Sequence, residues 1–164
     1  MINDKTGQIS GEFLLLIGGI VIILMLSVAF IAEEEELNIA MAAADNGAAK
    51  GSSQFQIYSD DAYNEYLKSK EDLLLPYSVE IINITYLELG YDNVYDKQKI
   101  QFKVYAACSR DFNKKDLDSI GDRINYNLRK SIALSFNTSN AGNKLYNPVF
   151  SNHYVFTTAD VKWV

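Results

Sequence analysis

Twenty consecutive residues, Phe13 to Ala32, carry no charge and no proline, and Ser27 is the only polar side chain among them. At about 1.5 Å rise per residue this run makes a helix about 30 Å long, the thickness of a bilayer's hydrocarbon core. Beyond it the chain turns abruptly acidic, Glu33-Glu34-Glu35-Glu36, and then returns to helix formers through Leu37, Met41 and Ala42-Ala43-Ala44. The helix is expected to continue outward, with the glutamates as a solvated collar that keeps it from sliding deeper into lipid. Asn46-Gly47 and Gly51-Ser52-Ser53 weaken a helix and predict a hinge there.

Past that hinge the periodicities change. Residues 60–74 fit a short helix closed by Pro76. Ser78 to Leu89 is rich in Val, Ile, Thr and Tyr and reads as a strand. After a turn from Tyr91 to Lys97, Ile100, Phe102, Val104, Ala106 and Cys108 alternate with Gln101, Lys103, Tyr105 and Ala107, a half-buried strand that completes an antiparallel hairpin. Asn113 can cap a helix from Lys114 to Ser135, whose apolar stripe is Leu117, Ile120, Ile124, Leu128 and Ile132. Asp116, Asp118, Arg123 and Arg129 are expected to face water. A polar loop over 137–143 leads to one or two final strands at 154–157 and 161–164.

The class is therefore α+β: a long N-terminal transmembrane helix carrying a small head of three or four antiparallel strands packed with a helix. The expected divisions are a segment 1–7, the helix 8–52 and the head 53–164. The stripe on 114–135 and the face through Ile100, Phe102 and Val104 predict a head that folds without the long helix. Should the helix contribute to the core, Leu37, Ile39 and Met41 are the expected positions.

A plain anchor does not need the residues that precede the span. Glu12 stands at the mouth of the apolar run, where a charge costs several kcal/mol unless it is paired or snorkels. A secretory signal peptide fits poorly, since its apolar region is shorter and a cut after Ala32 would require a small residue where Phe30 stands. Lys5 beside Asp4 before the span, against four glutamates after it, weakly favours an inward N-terminus.

The spacing Gln8-x-Ser10-x-Glu12-x-x-x-Leu16, set directly against a spanning run, resembles the QxSxExxxL signature of class III signal peptides in methanogen archaea. The resemblance covers about 25 residues and implies a type IV pilin-like subunit. It implies that a membrane prepilin peptidase cuts between Gly7 and Gln8, discards residues 1–7 and leaves the apolar helix on the mature chain. The implied partners are other pilin subunits, the peptidase, the pilus assembly machinery and, before assembly, the lipid bilayer. The implied location is a single-pass precursor with a cytoplasmic N-terminus, then an extracellular pilus. Bacterial pilins carry a helix-breaking proline at the twenty-second mature position, where this chain has Ala29, so an unbroken helix is expected, as in archaeal filaments. The alternative is a single-pass, membrane-anchored binding or adhesion protein that does not polymerise. That reading leaves Gln8, Ser10 and Glu12 without a role.

Composition narrows the chemistry further. A net charge of −6 with no basic patch argues against nucleic acid. Cys108 is the only cysteine, so no intrachain disulfide forms, and its place in the alternating strand predicts a buried small hydrophobe. Asn83-Ile84-Thr85 and Asn137-Thr138-Ser139 are acceptor triplets for N-glycosylation outside the cell. One cysteine and one histidine, His153, cannot make a zinc site, and Asp60-Asp61 lack the spacing of a calcium loop. No nucleophile elbow, phosphate loop or dinucleotide fingerprint occurs. Neither an enzyme nor a cofactor is expected. The eleven tyrosines are expected as core edges and surface contacts rather than as a sugar-binding face.

Overall fold

The computed structural model describes residues 11–53, 78–138 and 148–164. The expected segment 1–7, the helix at 60–74 and most of the polar loop at 137–143 lie outside the described residues. The first element, α1, runs unbroken from Gly11 to Ser52, 42 residues. The chain divides into two compact units at Leu37/Asn38, inside this helix rather than at its end. In the first unit the large apolar side chains from Phe13 to Ile31 are all exposed. The helix is long and apolar enough to cross a membrane.

The second unit holds the outer part of α1 and the head. Strand β1 (Val79–Asp92) pairs antiparallel with β2 (Lys97–Cys108) as the hairpin pattern predicts. Ile100, Phe102, Val104 and Ala106 are buried while the residues between them are half-buried, so β2 keeps its alternation. Cys108, expected to be buried, is half-buried at the strand end. The register slips between Glu88 and Tyr91, where Gly90 takes φ +82°, a conformation that costs glycine little and other residues more.

Helix α2 (Lys114–Ser135) follows and returns the chain across the sheet. After α2 the chain re-enters the sheet as a hairpin, and the second strand of that hairpin runs parallel to β2. β4 (Tyr154–Thr158) pairs parallel with β2 from Gln98↔Tyr154 to Phe102↔Thr158. β5 (Lys162–Trp163) continues along the same flank at Tyr105↔Lys162 and Ala106↔Trp163. The short β3 (Val149–Phe150) closes the far edge antiparallel to β4. The architecture is α+β as expected, but the sheet is mixed, in the order β1-β2-β4-β3 with β5 beside β2. The expected run of antiparallel strands holds for the hairpin and for β3–β4 only.

The start of α2 is locally encoded. The Asn113 side chain accepts from the Asp116 N–H at 3.0 Å, and its amide donates to the Asp116 carboxylate at 2.6 Å. This reciprocal pair satisfies the first turn and draws Asp116 to 2% exposure, not to water as expected. Arg123 and Arg129, also expected outside, are 2% and 5% exposed. Arg123 Nε donates to the Gly51 carbonyl at 2.8 Å, and Arg129 donates to the Thr158 hydroxyl. A single apolar stripe misses this because α2 is covered twice, by the sheet on one side and by α1 on the other. Asp118 alone of the four is exposed.

The contact with α1 is made of small residues. Ala40, Ala43, Ala44, Gly47, Ala48 and Gly51 recur at helical spacing and are the buried positions of α1. A Cβ placed on Gly47 would lie 2.5 Å from the Asn127 carbonyl oxygen and 2.6 Å from Leu128 Cα. One placed on Gly51 would lie 2.6 Å from Ile124 Cα. The expected hinge at Asn46-Gly47 is therefore a packing seam: the glycines are spent on close backbone approach, and the helix runs through them. Ile39, one of the expected core positions, is 39% exposed, and Leu37 and Met41 are half-buried.

Candidate functional site

Of the residues expected to form the signal, Gly7, Gln8 and Ser10 lie outside the described residues. Glu12 sits in the first turn of α1 and is exposed, in a position where a carboxylate complements the helix dipole. Leu16, one turn further on, is 61% exposed. Gly18 and Gly19 have nothing within 4 Å of where a Cβ would lie, which leaves room for another helix to approach. From Phe13 to Ile31 the first unit thus presents exposed large apolar side chains, with one acid near the start of α1 and a two-glycine notch.

Both candidate glycan acceptors are exposed. Asn83 lies on β1 opposite Tyr105, beside the register slip that begins at Ile81. Asn137 follows the last turn of α2 with φ +51°, a left-handed helix stop that asparagine tolerates better than most residues. The hydroxyl-bearing third residue of the second triplet, Ser139, lies outside the described residues.

Among the described residues no group of three His, Cys, Asp or Glu side chains is placed to hold a metal ion. Asp60 and Asp61 lie outside them. His153 is exposed beside β4, where its backbone carbonyl accepts from the Gln98 N–H at 3.0 Å. At the hairpin tip Tyr95 rests on Phe150 with ring centroids 5.1 Å apart, and the Tyr91 hydroxyl bonds Asp96. That bond raises the Tyr91 phenol above its ordinary range. The Val94 backbone N–H, with Lys99 behind it, holds the Asp92 carboxyl below its own. These tyrosines are engaged in stabilising the turn.

One cleft of about 250 Å³ opens between the N-terminal half of α2 and β5. Leu117, Val161 and Trp163 form its apolar part, and Asp118, Asp122 and Asp160 stand around them with Lys114. Sequence reasoning missed this cleft, since Asp118 and Asp160 are brought together only by the parallel pairing of β5. It also missed Gly47, Gly51 and Arg123. The signal for the glycines was present as a four-residue spacing continued upstream by Ala40, Ala43 and Ala44. No family model matches the chain, and neither a curated protein nor a solved structure matches it.

Proposed function

We infer that the chain is a type IV pilin-like filament subunit, cut between Gly7 and Gln8 and polymerised through α1. The observation that carries this reading is the unbroken helix Gly11–Ser52. Its first half exposes its large apolar side chains, and its first turn carries the Glu12 of the Gln8-x-Ser10-x-Glu12 spacing. In lipid those side chains are solvated by acyl chains; in a filament the same faces pack against copies of themselves, and a head-to-tail contact that does not close makes an open helical polymer. Moving such a helix through water would forfeit about 25 cal/mol per Å² of apolar surface, so assembly draws subunits directly from the membrane. The head then lies outside the cell. The role is structural and involves no catalysis.

N-terminal sequencing of the native protein, together with mass spectrometry of sheared surface filaments, tests this. The expected result is a chain beginning at Gln8 and recovered from filaments. Retention of Met1, or a cut after Ala32, overturns the processing; a processed chain confined to membranes favours the anchored, non-polymerising alternative.

Glu12 supplies a second test. Within a bundle of apolar helices it needs a partner, and the resemblance to type IV pilins implies the amine of Gln8 on a neighbouring mature subunit. Two unit charges about 4 Å apart attract by about 4 kcal/mol at an effective dielectric near 20, before desolvation is subtracted. Glu12→Gln keeps the shape and loses the charge, so it is expected to be cleaved normally and to lower filament yield at least tenfold. Cyclisation of Gln8 to pyroglutamate removes the amine, and in that case the substitution is tolerated. The mass of the N-terminal peptide separates the two. A free amine combined with normal filaments from Glu12→Gln refutes charge pairing.

A further inference from the structure

The head carries two surfaces of opposite charge on opposite sides of β5. On β2, Lys103 and Tyr105 alternate with the buried Phe102, Val104 and Ala106, so they lie on the sheet face turned away from α2. Lys162 pairs with Tyr105 across the β2–β5 ladder and joins them on that face. The ammonium groups of Lys103 and Lys162 lie 5.5 and 5.7 Å from the centroid of the Tyr105 ring. Lys162 is exposed and Lys103 half-exposed, and neither forms an ion pair among the described residues. The next residue, Trp163, pairs with the buried Ala106 and so points to the other side, into the cleft that Asp118, Asp122 and Asp160 line together with Lys114. Asp118 and Asp160 are exposed and likewise form no ion pair among the described residues.

We propose that the Lys103–Tyr105–Lys162 face docks onto the acidic, Trp163-floored cleft of a second copy of this chain. Charge complementarity identifies the occupant. On a chain of net charge −6, this face gathers two lysines that form no ion pair among the described residues, while Asp118 and Asp160, likewise in no ion pair among them, stand on the far side of the same strand, with Lys114 as the one cation lining that cleft. The cleft suits a lysine in particular: Leu117, Val161 and Trp163 cover the apolar stem, and Asp118 and Asp160 receive the ammonium. Trp163 adds a ring face for the same cation. The two surfaces differ, so each copy uses one for the neighbour behind and the other for the neighbour ahead. Such a heterologous contact does not close and repeats along a polymer. The proposal rests on the filament reading and assigns the contact between heads that accompanies the contact between helices.

The full-length chain, expressed in its own membrane with Cys108→Ser, is given Lys162→Cys and Asp118→Cys together and treated with a short bis-maleimide. The expected result is a ladder of dimers, trimers and higher species that needs both cysteines, with neither single variant cross-linking. In parallel, Lys162→Asp alone and Asp118→Lys with Asp160→Lys are each expected to lower filament yield about tenfold, and the three changes combined to restore it to within about threefold. A ladder without filaments keeps the head contact and overturns the filament reading. Filaments without a ladder, or charge reversals that leave yield unchanged, overturn the head contact and keep the filament. Cross-linking that stops at dimers from one cysteine alone shows a symmetric contact and also overturns it.

Discussion

A fragment beginning at residue 53 is expected to be unfolded or aggregated, and one beginning at Glu33 to be a soluble, folded monomer. The difference is the buried face of α1. Ala40, Ala43, Ala44 and Ala48 are each 5% exposed or less, and at about 0.8 kcal/mol per buried methyl they contribute about 3 kcal/mol. The strip of α2 that they and the two glycines cover contributes a similar amount when kept from water. Removing α1 also takes the Gly51 carbonyl from the buried Arg123 Nε, at a further cost of about 1–3 kcal/mol for a hydrogen bond to a charged donor. Losses of this size approach the whole stability of a small domain, about 5–15 kcal/mol. The head was expected from its own stripe and strands to fold alone; the seam on α1 reverses that expectation. Far-UV and near-UV circular dichroism with sedimentation of both fragments decides it, and a cooperative unfolding transition in 53–164 would refute the argument.

Gly47→Ala in the 33–164 fragment is expected to destabilise it by about 1–3 kcal/mol, as overpacking does when backbone atoms must move. The sign is opposite to what an isolated helix predicts, where replacing glycine by alanine gains about 1 kcal/mol. The added methyl would meet the Asn127 carbonyl carbon and oxygen and Leu128 Cα, all within 2.9 Å, and none of these is the far end of a flexible side chain. The helices must therefore separate along the seam, which loosens the Ala44 and Ala48 contacts and the Arg123 bond as well. Gly51→Ala meets Ile124 Cα and the Arg123 carbonyl oxygen and should behave alike. Asn46→Ala, one position away and exposed, is the control: it is expected to change the unfolding free energy by about half a kcal/mol at most. Urea unfolding of the three variants reads the contrast, and a stabilised Gly47→Ala would show that the seam is slack.

What the sequence by itself determined is what local rules write into adjacent residues. The apolar run, long enough to cross a membrane, the β1–β2 hairpin, the Asn113 cap and the limits of α2 all follow from periodicity, turn chemistry or capping over a few residues. So does the signal spacing from Gln8 to Leu16, on which the functional reading rests. Tertiary structure alone decided the features that join distant segments. Arg123 meets Gly51 across 72 positions of chain, and no window that short-range patterns use contains both. Glycines that weaken a helix locally strengthen it once a neighbour's backbone presses on them, so Gly47 and Gly51 reverse meaning with context. Strand direction is set in the same way: the chain from β2 to β4 passes through α2 and then the antiparallel β3, and that route, not the composition of β4 or β5, makes both parallel to β2. From that pairing come the two charged sides of β5, because a two-residue strand sends Lys162 to one face and Trp163 to the other only after its register against Tyr105 and Ala106 is set.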